Sequence, residues 1–245
     1  MRSNKVGDLS SGKIWMKMDG PTQEHCRSLL LGLFHAEADQ DVKHKLCDAV
    51  AEVARAQAEY GEWSELLALL LSVNAGTEAS LAVGCLRILA AVPEILEARP
   101  DFNDSSRLIQ GTLMHADAKV KLESLRALSS IFYVFQEDRE SQIKAAFQPI
   151  IDNSHAILGS FFSRLNIEDD VKTESLLAFV EMVQEAPKLF RNCMKPLALA
   201  LIEIARSQEA DQGIRESALE LILTLVECLG GKAKKEKKEA APKEK

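Results

Sequence analysis

The chain has few aromatic residues, little glycine or proline, and no long apolar run. Aromatics are 5% of its 245 residues, and glycine and proline together number 19. Scarce aromatics suit a core of stacked leucine and alanine helices better than a β-sandwich, and scarce turn residues mean long elements. The strongest apolar stretches, residues 66–73 and 197–204, fall well short of the roughly 18 residues that cross a bilayer. The first thirteen residues are polar, so no signal peptide is expected, and the protein is expected to be soluble and intracellular.

Chemistry-bearing motifs are also missing. The five cysteines (Cys26, Cys47, Cys85, Cys193, Cys228) form no CxxC pair and no metal spacing. They are expected to be buried, reduced thiols. The five histidines (His25, His35, His44, His115, His155) make no HExxH and no paired metal spacing. Most are expected at solvated helix ends. There is no GxSxG elbow. Gly7 to Lys13 matches the first seven positions of a P-loop. The eighth must be Ser or Thr to hold magnesium and here is Ile14, and only six residues precede Gly7 where a β-strand is required. Nucleotide binding is therefore not expected. Adjacent acids such as Glu137-Asp138 and Glu168-Asp169-Asp170 are expected to be loop or helix-start charges rather than a catalytic pair. Nothing supports an enzyme, a metal or a cofactor.

Charge is uneven. Residues 232–245 hold seven lysines and three glutamates, a balance of +4, which leaves −11 of the net −7 on the remainder. An acidic body repels phosphate backbones and favours basic protein ligands over nucleic acid. The lysine-rich tail fits a nuclear address, a polyanion contact or a solubilising disordered end.

What is present is a repeat. Residues 42–73 form two apolar-faced helices around a turn at residues 59–62, where Gly61 supplies backbone freedom. Offsets of 5, 8 and 11 from Val42 give Cys47, Val50 and Val53, which share one helix face. The same offsets from Leu81 give Leu86, Leu89 and Val92. Val120 gives Leu125, Leu128 and Ile131. Val171 gives Leu176, Phe179 and Met182, and Ile214 gives Leu219, Ile222 and Leu225. The starts lie 39, 39, 51 and 43 residues apart. The residue after the start is basic in four copies (Lys43, Lys121, Lys172, Arg215), each with an aspartate shortly before it (Asp41, Asp117, Asp170, Asp211).

A period near 40 residues built from helix pairs predicts an all-α fold, an α-α superhelix of the HEAT or armadillo-like solenoid kind, with about five repeats. The expected organisation is an irregular segment 1–20, a solenoid over 21–231 and a disordered tail 232–245. Pro21 opens a helix with Leu29, Leu30, Leu33 and Phe34 inward. Pro93 and Pro187 end first helices. Asp104 is a candidate N-cap for a helix carrying Leu108, Ile109, Leu113 and Met114 inward, with Ser105 and Ser106 as alternatives. The stretch 140–163 exceeds one helix and is expected to break near Asp152-Asn153. The last helix is expected to close at Gly230-Gly231.

The details resemble one family. The segment 42–55 (VKHKLCDAVAEVAR), followed by Glu62-Trp63 and a leucine-rich helix, resembles the second and third repeats of the importin-β superfamily. Ser64 stands where that family usually has proline. Val92-Pro93 and Ala186-Pro187 resemble the helix-ending prolines of its importin β3 class, whose members carry ribosomal proteins and histones, and residues 217–227 are similar to that class's ALEVIVTLSE-like helix. The resemblance runs from about Thr22 to Leu229 and corresponds to an N-terminal portion of a karyopherin. It implies nuclear import: binding of Ran-GTP, phenylalanine-glycine nucleoporins or basic cargo, in the cytoplasm and nucleus. It also implies that second helices line the concave face, here residues 62–73, 106–115 and 196–206. The candidate protein-binding residues on and beside these stretches are Trp63, Glu65, Arg107, Gln110, Lys195, Glu203 and Arg206. The rival reading is a structural scaffold or adaptor subunit that uses the solenoid's ends as interfaces.

Overall fold

The structure, a computed structural model, describes residue 15 and residues 17–58, 63–163 and 166–239, with 230–239 as backbone only. Within these lie α1 (Gly20–Ala36), α2 (Gln40–Ala58), α3 (Ser64–Ser72), α4 (Ala79–Ala91), α5 (Asn103–Leu113), α6 (Ala118–Phe135), α7 (Glu140–Asp152), α8 (Ser154–Phe162), α9 (Asp169–Glu185), α10 (Met194–Arg206) and α11 (Gln212–Glu239). Two 3-10 helices, Pro93–Leu96 and Pro187–Arg191, follow α4 and α9. No strand occurs among the described residues.

The helices form two layers. First helices stack in the order α2, α4, α6, α9, α11, each against the next; α1 packs on α2, and the second helices stack as α3, α5, then α7 and α8, then α10. The repeat pattern is the reason. Leu86, Leu89, Leu125, Leu128, Ile131, Leu176, Phe179 and Met182 are all buried, because α4, α6 and α9 are each packed between two other first helices. In α6 twelve of eighteen residues are buried. Phe132 and Phe147 meet edge to face at 5.7 Å, and Phe102 and Phe135 lie 5.2 Å apart, joining the middle repeats.

The recurrent basic residue ties α2, α6 and α11 to a neighbouring helix, and in α9 it pairs within its own first turn. Lys43, itself buried, donates to Ser80 Oγ across the layer at 2.9 Å and lies over the Phe34 ring. Lys121 donates to Ser160 Oγ, Lys172 to Asp169 and Arg215 to the Ala205 carbonyl. A lysine stem can be buried this way because its ammonium keeps a partner. The aspartates before these residues act as helix-start groups. Asp117 caps α6 by accepting from Lys119 N–H, and Asp169 and Asp170 lie in the first turn of α9, where the helix dipole favours them.

The long second helix breaks where expected. Pro149 lies inside α7 without an N–H to give the ladder, and at the break Asn153 donates its backbone N–H to the Ile150 carbonyl while its side-chain Nδ2 donates to the Pro149 carbonyl. α7 packs on α5 and on the 3-10 helix Pro187–Arg191, where Lys188 pairs with Glu140 at 2.8 Å, and α8 packs on α9 and α10.

Several expectations are corrected. Leu29 and Leu33 of α1, and Val42 of α2, are exposed, because no described element lies on that side of α1 and α2. In α11 the buried seam is Ile214, Ala218, Leu221 and Leu225. Leu219 is 51% exposed and Ile222 only part-buried, since no further first helix packs on α11 among the described residues. The N-cap of α5 is Phe102; Asp104 lies in the first turn and pairs with Arg99 and Arg107. Met114 is 76% exposed at the end of α5. The last helix does not close at Gly230-Gly231: its backbone is helical to Glu239. The Ala, Lys and Glu that follow are strong helix formers, and two glycines cost a helix only about 2 kcal/mol together. The turn at residues 59–62 and the P-loop-like segment 7–13 lie outside the described residues.

One close approach carries much of the first repeat. A Cβ on Gly84 would sit 2.6 Å from the ring of Phe34, which is fully buried and has nowhere to move. Gly84→Ala is expected to destabilise the chain by about 1–3 kcal/mol in urea unfolding. Combining it with Phe34→Leu is expected to cost less than the sum of the two single changes, because the shortened side chain frees the space.

Candidate functional site

The candidate site is the outward side of the second-helix layer. The exposed residues there are set by helix period. Burial of Leu66, Leu67 and Leu70 turns Glu65, Ala68 and Ser72 of α3 outward. In α5, burial of Leu108, Ile109, Thr112 and Leu113 turns out Arg107, Gln110 and Met114. In α10, with Leu197 and Leu201 buried, Lys195, Leu199, Ile202, Glu203 and Arg206 are exposed.

Six of the seven candidate residues, Glu65, Arg107, Gln110, Lys195, Glu203 and Arg206, are therefore exposed on second helices of one layer. The seventh is corrected. Trp63 is 2% exposed: it is the N-cap residue of α3 and turns into the core rather than onto the face. Sequence reasoning also left out α7 and α8, which sit between α5 and α10 and add Lys144, Asp152 and Ala156 to the exposed set. Their signal was the 51-residue spacing, which marked an added element without saying which layer it joined. Across this layer acids and bases are interspersed, and the exposed large apolar groups are Leu29, Leu33, Met114, Leu199 and Ile202.

The first-helix layer is different in character. Arg126 bridges Glu123 on its own helix (2.6 Å) and Glu174 on α9, tying adjacent repeats. Beyond it, α9 and α11 expose Glu181, Glu185, Glu216, Glu220 and Glu227 beside Leu177, Leu219, Leu223 and Val226.

No group of three or more His, Cys, Asp or Glu gathers to hold a metal among the described residues. No described helix is long and apolar enough to cross a membrane. His115 is corrected from a solvated to a buried role. Its Nδ1 accepts from Asp117 N–H and its Nε2 lies 3.0 Å from the Thr77 carbonyl, so it joins the turn before α4 to the start of α6. Cys47, Cys85 and Cys193 are buried as expected, whereas Cys26 and Cys228 are part-buried. Burial pushes the Cys47 thiol up to about 11 and the Cys85 thiol up to about 12.

These thiols generate a prediction. An aromatic disulfide reagent at neutral pH is expected to modify Cys26 and Cys228 first, and Cys47 and Cys85 only on unfolding, because the thiolate is the reacting form. The unfolded chain releases these protons near the ordinary value of 9 and the folded chain retains them. Stability is therefore expected to be full below pH 9 and to fall as pH rises toward 12. Alkaline unfolding of Cys85→Ser, with a shallower pH slope than the parent, checks this.

Comparisons with known proteins agree with this geometry. A protein-family profile described as "IPO5-like, TPR repeats" matches residues 38–200, from the entry of α2 into α10. Importin subunit beta-3 of Saccharomyces cerevisiae (strain ATCC 204508 / S288c) is 26% identical over 202 residues, covering 82% of this chain. The chain spans only 18% of that relative's length. Crystal structures of Kap121p have the same fold. Kap121p bound to Nup53p superposes with a TM-score of 0.75 at 24% identity, covering 86% of this chain and 20% of that one. Kap121p bound to RanGTP superposes with a TM-score of 0.74 at 23% identity, covering 90% and 20%.

Proposed function

The chain belongs to the IPO5-like repeat family of importin-β relatives, and on that premise we propose that it is a non-enzymatic, protein-binding solenoid of nucleocytoplasmic transport, working in cytoplasm and nucleus. Its partners in this reading are Ran-GTP, a phenylalanine-glycine nucleoporin or a basic cargo. The observation that carries the reading is the family match, which spans both helix layers from α2 into α10. The relatives add to it: one solved Kap121p structure holds RanGTP and another Nup53p.

In this reading partners lie on the second-helix layer, across Glu65, Arg107, Gln110, Lys195, Glu203 and Arg206. Such a surface, of interspersed charge with a few exposed apolar groups, resembles the polar rim and small apolar centre of a reversible interface. A solenoid suits this role because it offers a long surface from a short sequence, each repeat contributing a few side chains. The domain organisation follows: repeats over 21–231 bind, and the lysine-rich stretch 232–245 acts as a separate charged extension.

The test is a titration of the purified chain with Ran loaded with GTP and, separately, with GDP. Preference for the GTP form is expected. The combined change Arg107→Glu, Lys195→Glu, Arg206→Glu is expected to weaken that binding by about tenfold or more, chiefly through slower association, while leaving helix content unchanged. No binding to either form would sink the transport switch and leave only the fold.

A second reading is supported by the end of the stack. Leu219, Leu223 and Val226 of α11 recur at helical spacing on one exposed stripe, and Leu199 and Ile202 are exposed on the adjoining α10. Contiguous apolar surface of this kind serves association. In this reading the chain is a scaffold subunit joined through its end. Light scattering after size exclusion decides: an assembly dispersed by Leu223→Glu favours the scaffold, and a monomer unaffected by that change counts against it.

A further inference from the structure

A groove of about 480 Å³ separates the second helices α8 and α10 at their C-terminal ends. Its walls are the last turn of α8, the last two turns of α10 and the loop 207–211 that leads into α11. Small residues open it. Gly159 and Ala200 line it from the two helices, and a Cβ built on Gly159 would meet no atom within 4 Å. Phe162, Ile204 and Ala210 are only part-buried, so their apolar surface is reachable from the groove. The volume falls in the lower part of the range for binding clefts.

The charged groups of the groove divide into engaged and free. Lys172 pairs with Asp169 at 2.7 Å, and its side chain is 17% exposed. Glu203 and Glu209 are exposed, and their carboxylates meet no donor among the described residues. Leu199, 54% exposed, stands one turn before Glu203 on the same side of α10. Apolar surface therefore continues from the groove onto the second-helix layer. A basic segment without an apolar side chain would pair the carboxylates and leave the walls in water. An apolar molecule alone would fill the walls and leave the carboxylates unpaired. Both are satisfied by a chain segment with a large apolar side chain between basic ones.

We propose that this groove receives one large apolar side chain from an extended segment of a protein partner, with lysine or arginine neighbours on Glu203 and Glu209. The proposal rests on the reading of the second-helix layer as the partner surface and names the chemistry taken at one end of it. The two can fail separately. The Ran titration turns on Arg107, Lys195 and Arg206, whereas Gly159→Leu fills the groove and is expected to leave that titration unchanged.

The test uses the full chain with isotope-labelled isoleucine methyl groups, the Ile204 signal being assigned with Ile204→Val. The probe is a blocked peptide, glycine-lysine-leucine-lysine-glycine. It is titrated beside the same peptide with serine in place of leucine, and beside a third with glutamates in place of the lysines. The Ile204 signal is expected to shift saturably with the leucine-lysine peptide. The serine peptide is expected to bind about tenfold more weakly, because the buried side chain is lost. The double change Glu203→Gln, Glu209→Gln is expected to weaken the leucine-lysine peptide by about threefold, as suits two exposed charges. Gly159→Leu is expected to abolish the shift and to keep or raise the thermal midpoint, since leucine is the better helix former. An equal response to either control peptide, no saturable shift, or a response that survives Gly159→Leu would overturn the site. A shift of the Ile204 signal on dilution of the peptide-free chain would give the groove to a second copy and overturn its assignment to a partner.

Discussion

The structure depends on the requirement that the inner first helices, α4, α6 and α9, be buried on both flanks. A helix such as α6, with most of its residues inaccessible, cannot stand as part of an isolated pair. It needs α4 on one side, α9 on the other and its own second helix beneath. That need turns a set of amphipathic hairpins into a stack. It also dictates the polar groups that can be tolerated inside: Lys43 and Lys121, whose ammonium groups reach serines on neighbouring helices, and His115, which links two turns. These contacts cross between repeats, so they act as register pins in a core that leucine alone would leave free to slide.

The two layers divide the work. First helices supply cohesion, which is why their exposed stripe is narrow. Second helices pack on fewer neighbours and leave more side chains outward. The partner-binding reading proposed for this fold therefore rests on the second layer. Family membership accounts for the architecture. The residues that would select a partner are exposed, mobile types such as Arg107, Lys195 and Glu203, which the fold positions but does not constrain.

Much of the architecture was legible in the sequence. A three-position apolar offset recurring five times gave the first helices, and the two prolines marked their ends. What the pattern could not show is which apolar residue has a neighbour. Leu219 and Leu221 look alike in sequence; only the stack makes one core and the other surface, and the small Ala218 hides among leucines while holding the seam. Trp63 misled for a related reason. A tryptophan before a helix looks like a surface anchor, yet the N-cap position carries its side chain inward. His115 gave no signal at all, because its role comes from two turns meeting in space. The site residues were legible only as far as helix period reaches: it separates outward from inward, and it cannot say what an outward residue meets.

The split second helix has a mechanical consequence. A column of equal units, each clasped only to its neighbours, bends evenly along its length like a leaf spring. Here one unit is cut at Asn153, whose backbone N–H turns to the Ile150 carbonyl and whose side-chain amide donates to the Pro149 carbonyl in its stead. Its two pieces overlap beyond the cut: α7 holds both α5 and the 3-10 helix Pro187–Arg191, where Gln148 donates to the Leu189 carbonyl, and α8 holds α9 and α10. The first piece thereby reaches across the cut like a splint, so the column keeps its continuity where its second layer is divided.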